Sequence, residues 1–360
     1  MRLLMLWLIF DVLFIFQCSC FTYWVDNSCI GNDGPVGSEE NWEKFMQEAF
    51  SMARRAADRL SSDSDTDFSA VFKRIFKIEK SDSTTFRNLF GEYTQEPVLV
   101  QTGKDFVFDK MRSIGRDWHS VTRGTEQQRL DSNVRLYCDN DARWKPAKST
   151  PGILIDKANG LFAREVGPPC QTRSRLQAKV YREPLVYNDG RTPQAKDRHT
   201  ITFCDAAFNV GDVPISLFEV PPNVDLGQHN IKLFSATLSK TILHEFTHLW
   251  PYNLLDIPND VNPLAPYGWD NIVKIESTEH RINNADSYAY LGIWALLADR
   301  VPKVGDSGGH TLTRLFTGRV TRQNPDAVEE AERDANEGKI ASYRDLTKRW
   351  LNVVARMFRA

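Results

Sequence analysis

The sequence predicts an α+β fold, mostly helical, with a small mixed β-sheet flanking one functional helix. Three observations predict it. Long segments place apolar residues at helical spacing, as Trp42, Phe45, Met46, Ala49, Phe50, Ala53 and Ala56 do. Three short runs, 133–138, 178–181 and 199–204, alternate or are β-rich. Between those strands and an apolar helix over 283–297 lies Thr241-Ile242-Leu243-His244-Glu245-Phe246-Thr247-His248-Leu249-Trp250, a His-Glu-x-x-His pattern in a chain with only 7 histidines among 360 residues.

Taken in order, residues 1–20 read as a signal peptide. Arg2 precedes an apolar run through Phe16, and the small residues Cys18, Ser19 and Cys20 suit cleavage before Phe21. The mature chain is therefore expected to be secreted. Residues 21–130 read as a helical region. Ser38 can cap a helix over 38–60, with Glu39 and Glu40 at its positive end. Phe68, Val71, Phe72, Ile75 and Phe76 mark a second helix, and Phe86, Leu89 and Phe90 a short third. Residues 131–300 hold the strands, the motif helix and the apolar helix, and form the expected catalytic core. Residues 301–360 read as a helical extension packed on that core. It has one helix over 324–338, opened by Asn324-Pro325 and closed by Gly338, and another over 340–358.

With 45 basic and 47 acidic residues well mixed, the net charge is −2 and no basic stripe exists. That excludes nucleic acid and anionic membranes as expected partners. Beyond the signal, no stretch approaches the roughly 18 apolar residues that span a bilayer. Once Cys18 and Cys20 leave with the signal, Cys29, Cys138, Cys170 and Cys204 remain, an even set that predicts two disulfides. Four cysteines allow three connectivities, and sequence does not choose among them. A monomer acting on protein or peptide substrates is expected.

On a helix, His244 and His248 share a face and can direct ring nitrogens at one metal ion. Glu245 is one step round, where it can take a proton from the attacking water. The two inner positions, Phe246 and Thr247, carry no charge, as suits a helix lying in the floor of a cleft. Upstream, Leu233 through Lys240 supply further turns, with Ser235 or Thr237 as the N-cap. The chemistry expected of such a helix is zinc-dependent peptide hydrolysis.

Tetrahedral zinc needs one more protein ligand and one position for water. A metzincin would place a histidine six residues after His248, where this chain has Leu254. Glu276 or Glu279 could serve in a thermolysin-like arrangement. His244-Glu245-Phe246-Thr247-His248, then Tyr267-Gly268, then Asn284-Ala285-Asp286-Ser287-Tyr288 resembles the deuterolysin and peptidyl-Lys metalloendopeptidase family, the aspzincins, over roughly 200–298. The resemblance implies a zincin-like core, Zn2+ as cofactor and an aspartate as third ligand. The family's aspartate stands three residues before the Tyr-Gly pair, a position held here by Leu264, so the ligand falls to Asp260 or Asp256 in the preceding loop. Asp260, nearer to Tyr267, is favoured, and Asp286 is a further alternative. The resemblance also implies that Tyr267 donates to the oxyanion of the transition state and that Asp286 lines the substrate pocket. A Glu of the lysine-specific branch is replaced by Ala289, which argues against strict lysine specificity.

The expected function is a secreted zinc metalloendopeptidase. Zinc-activated water attacks the peptide bond, with Glu245 as general base and His244, His248 and Asp260 on the metal. The rival expectation is a zincin-fold protein that binds without turnover.

Overall fold

Phe21-Thr22-Tyr23-Trp24-Val25, β-branched and aromatic throughout, forms the first strand, β1, in a region expected to be wholly helical. The computed structural model describes residues 21–31, 34–62, 65–78, 85–89, 98–102, 104–116, 118–148, 150–184, 198–208, 216–219, 231–249, 251–259 and 266–300. The expected signal peptide, the helices over 324–338 and 340–358, and Asp260 lie outside them.

After β1 come α1 (Glu39–Ser61), α2 (Thr66–Phe76), β2 (Thr85–Leu89), β3 (Val98–Thr102), α3 (Lys104–Arg116), β4 (Trp118–Ser120), α4 (Glu126–Leu130) and β5 (Val134–Tyr137). The middle of the chain forms β6 (Lys145–Pro146), β7 (Ile153–Asp156), β8 (Leu161–Arg164), α5 (Pro169–Thr172), β9 (Ala178–Tyr181), β10 (Glu183–Pro184) and β11 (His199–Phe203). Then follow α6 (Leu238–Thr247), α7 (Trp269–Ile272), α8 (Thr278–Ile282) and α9 (Ala285–Arg300).

The α+β expectation and the mixed sheet are both observed. Five strands run in the order β4-β1-β5-β11-β9. The first four are mutually parallel, and β9 closes one edge antiparallel to β11, with Ile201 opposite Val180. A smaller antiparallel sheet, β10-β8-β7-β6, sits beside it. Because β1 and β4 precede residue 131, the division drawn there does not separate two cores. One apolar cluster draws on Trp42, Met52, Phe72 and Ile114 as well as Val134, Ile201, Phe246 and Trp294.

Local chemistry explains the helix boundaries. Ser38 caps α1 by accepting from the Asn41 amide. Asp65 does the same for α2 through Phe68, and Thr237, one of the two expected caps, does so for α6 through Lys240. Where Phe86 and Leu89 were expected in a short helix, Thr85–Leu89 is strand β2, paired antiparallel with β3; Phe90 lies outside the described residues. The run Val98-Leu99-Val100 supplies a ladder partner, and tertiary pairing overrides the helical spacing of Phe86, Leu89 and Phe90. The disulfides are Cys29–Cys138 and Cys170–Cys204. The first joins the chain after β1 to the end of β5, and Trp42 Nε1 donates to the Cys29 carbonyl at 2.8 Å. No helix among the described residues is long and apolar enough to cross a membrane.

All ten residues of α6 are buried. Helices α1 and α9 pack against it on one side and β9 approaches on the other. Phe246 is held edge-on between Phe50 and Trp118, with ring centroids at 5.4 and 4.8 Å. Glu48, buried in α1, fixes the entry to α6. Its carboxylate accepts from the amides of Leu217 and Phe218 at 2.7 Å and from the hydroxyls of Ser216 and Ser239. Helices α9 and α6 come close because Gly292 has no side chain: a Cβ there would lie 2.6 Å from Leu243 Cδ2 and 3.0 Å from Met52 Cβ. Gly292→Val should therefore overpack this contact and cost about 1–3 kcal/mol, read as a lowered urea midpoint with unchanged slope.

Candidate metal centre

Helix α6 presents His244 in its last turn, and His248 is its C-terminal cap. Their rings meet edge to face with Nε2 atoms 3.1 Å apart. Asp256, one of the two loop aspartates expected as third ligand, stands beside them; the favoured Asp260 lies outside the described residues. Asp256 Oδ1 stands 3.0 Å from His244 Nε2 and 3.3 Å from His248 Nε2. These three residues are the one His/Cys/Asp/Glu group among the described residues whose donor atoms converge as a metal requires.

Backbone geometry explains why Asp256 reaches the histidines. Asn253 adopts a left-handed φ of 51°, which asparagine tolerates, and reverses the chain after α6. The amide of Leu254 returns to the Thr247 carbonyl at 3.0 Å. Leu255 then pairs with the residues that open α9: its amide donates to Asn283 at 2.8 Å and its carbonyl accepts from Ala285 at 2.9 Å. On the other flank, the Ile257 amide donates to Asn284 Oδ1 at 3.1 Å. Both neighbours of Asp256 are thus pinned to residues 283–285. Helix α3 secures the start of the same loop, where Lys110 Nζ donates to the carbonyls of Pro251 and Tyr252 at 3.2 Å.

Each histidine has its second nitrogen occupied. His248 Nδ1 donates to the Leu254 carbonyl at 2.7 Å, and His244 Nδ1 to Asp286 Oδ1 at 2.8 Å. With Nδ1 donating to its partner, Nε2 is the nitrogen each ring turns towards the other donors, the backing arrangement that fixes ring orientation at a metal site. Asp286 departs from the expected role at the substrate. It is completely buried, with Oδ1 also accepting from Lys240 Nζ at 2.5 Å and Oδ2 from the Gly268 amide at 2.5 Å. The Lys240 partnership is the feature that sequence reading missed. The only signal for it was a lysine four residues before His244, on the same helix face.

Tyr267 is half exposed, and its hydroxyl donates to Asp256 Oδ2 at 3.0 Å while its ring lies 5.6 Å from that of His244. Gly268, with a φ of 97°, turns the chain so that its amide faces Asp286. Glu245 lies next to the donors, 6% exposed, and lines the same cavity of about 870 Å³ as His244 and Tyr267. Glu276 and Glu279 are not part of the donor group.

Burial opposes charge at all of these groups, and their partners decide the outcome. Burial pushes the Glu245 carboxyl up, only partly offset by the two histidines. Asp286 is held well below the usual carboxylate range despite its burial, because Lys240, His244 and the Gly268 amide stabilise the anion. Asp256 is lowered in the same way by the two histidines. His244 pays the desolvation cost of burial, yet Asp256 and Asp286 raise it to about 10.

Two imidazole nitrogens and one carboxylate oxygen form the donor set of a three-ligand divalent site. Bonds of about 2.0–2.2 Å in a tetrahedron require donors roughly 3.3 Å apart, and the observed edges are 3.0, 3.1 and 3.3 Å. The residues fit a metal ion. The donor set is backed by Asp286 and the Leu254 carbonyl, while Asp256 is about one-third exposed and His244 lines the cavity. No protein-family model and no curated protein matches the sequence.

Metal uptake should release a proton. Below pH 10, His244 in the metal-free protein holds a proton on the nitrogen that a metal needs. Calorimetric titration with Zn2+ at pH 8 in buffers of different ionisation enthalpy should report about one proton released. The affinity should rise about tenfold per pH unit until pH approaches the His244 value.

Proposed function

We propose that this chain is a secreted zinc-dependent metalloendopeptidase of zincin-like architecture, related to the aspzincins. The observation that carries the reading is a three-donor metal set, open on one side, with Glu245 in the same cleft. Zinc suits the two imidazoles and one carboxylate, and when bound it polarises the scissile carbonyl and acidifies water towards a pKa of about 7. The two disulfides and the expected signal peptide support secretion.

The chain's own residues have separate tasks. The edge of β9, which precedes the cleft in space through Gln177 and Ala178, can take an extended peptide by backbone hydrogen bonding. Glu245 accepts a proton from the attacking water and returns it to the leaving amine; its raised affinity for protons suits that exchange. Tyr267 donates to Asp256 in the resting protein, and during turnover its hydroxyl would donate instead where negative charge develops on the substrate oxygen. The aspzincin reading requires a displaced ligand. Asp256 stands eleven residues before Tyr267 rather than three, yet the two side chains meet.

Casein hydrolysis and zinc content, measured on the wild type beside Glu245→Gln, test the reading. One zinc per chain in both proteins is expected, with hydrolysis reduced by about 10²–10⁴-fold in the variant. Full activity in Glu245→Gln would sink the mechanism, and zinc without turnover in the wild type would leave a fold kept for binding. Tyr267→Phe should keep its zinc and lower kcat by about 10²-fold with little change in KM. A loss of zinc instead would assign Tyr267 to ligand orientation alone.

A further inference from the structure

The cavity beside His244 and Glu245 is walled by three pieces of chain: the segment 172–178 leading into β9, the Lys240 face of α6, and residues 266–268. Its charged lining is uneven. Arg173, Arg175 and Lys240 face it, whereas Glu245 is the only carboxylate that the described residues contribute to the wall. Two of the three cations are engaged. Arg173 Nη2 pairs with Glu165 Oε2 at 2.9 Å, and Lys240 with buried Asp286 at 2.5 Å, its ammonium lying 5.5 Å from the Tyr290 ring centroid. Arg175 is exposed, and no carboxylate among the described residues pairs with it.

We infer, on the peptidase reading above, that this pocket selects substrates with an acidic side chain beside the scissile bond, and that Arg175 is the specificity-determining residue. A substrate lysine would have to lie against Lys240 and Arg175. The carboxylate that could have received it, Asp286, is outside the cavity wall and already holds the protein's own lysine. Glu245 does not restore an acidic pocket, because its charge and that of Asp256 together balance a divalent ion. The remaining uncompensated charge is that of Arg175, so a glutamate or aspartate gains a partner while a basic side chain meets like charge.

The experiment uses the zinc-loaded full chain and uncharged, alanine-rich peptides that carry Glu, Gln or Lys at one position. Mass spectrometry locates the cleaved bond. The wild type should cleave beside Glu with kcat/KM about tenfold above Lys, with Gln between, and Arg175→Glu should abolish or invert that order. Equal or faster cleavage beside Lys, or an order unchanged in Arg175→Glu, would overturn the inference while leaving the peptidase reading intact. Anisotropy binding of the same peptides to Glu245→Gln, with and without Arg175→Glu, separates the two claims. If the wild type cleaves nothing, the peptidase reading falls; tighter binding of the Glu peptide that depends on Arg175 still upholds the acidic pocket, and its absence overturns it.

Discussion

The candidate centre depends on one buried carboxylate. Asp286 sits at the start of α9 and joins it to two other parts of the chain: α6, through the Lys240 ammonium and the His244 imidazole, and the Tyr267 turn, through the Gly268 amide. A buried carboxylate of this kind is tolerable only when every lone pair is matched. Removing a single partner leaves a charge stranded in the interior, at a cost of about 3–5 kcal/mol. The orientation of the first donor, the position of the tyrosine and the basic character of the pocket wall are therefore set together.

Packing supplies the rigidity this requires. Helix α6 has no exposed face. Phe246 locks it against Phe50 and Trp118, Glu48 ties its first turn to α1, and the missing side chain of Gly292 lets Leu243 sit against α9. Held in this way, the two histidines need no adjustment to bring their Nε2 atoms together. Side chains fixed by their surroundings hold geometry better than side chains on a mobile loop. The one donor that does come from a loop, Asp256, is fixed on both sides by hydrogen bonds to the opening of α9.

What could be read from the sequence follows from the range of each interaction. The motif helix, its Thr237 cap and the Ser38 cap of α1 are local, and a few adjacent residues specify them. Likewise, the runs at 134–137, 178–181 and 199–203 carry their own strand pattern. Strand β1 was not legible, because its place between β4 and β5 depends on partners about a hundred residues away. The position of Asp256 is not legible for the same reason. Proximity to Tyr267 along the chain pointed to residue 260, whereas the bridge between Leu255 and Asn284 brings residue 256 to the histidines. Asp286 was recognised as a site residue but given the wrong neighbour, since nothing local in the sequence couples it to Lys240.

The pairing of the loop with the opening of α9 has a consequence for biosynthesis. A nascent chain that has passed residue 250 already carries both histidines and the glutamate, yet it has neither the backing carboxylate nor the anchor that sets the third donor. Those arrive with residues 283–286, and α9 must then dock on α1, a segment made more than two hundred residues earlier. Long-range contacts of this kind form late in folding. The converging set of three donors is therefore a property of the completed core and is absent from the motif on an unfinished chain. If the chain is the hydrolase proposed here, it has no working metal centre while it is still being translocated and could not yet attack its neighbours.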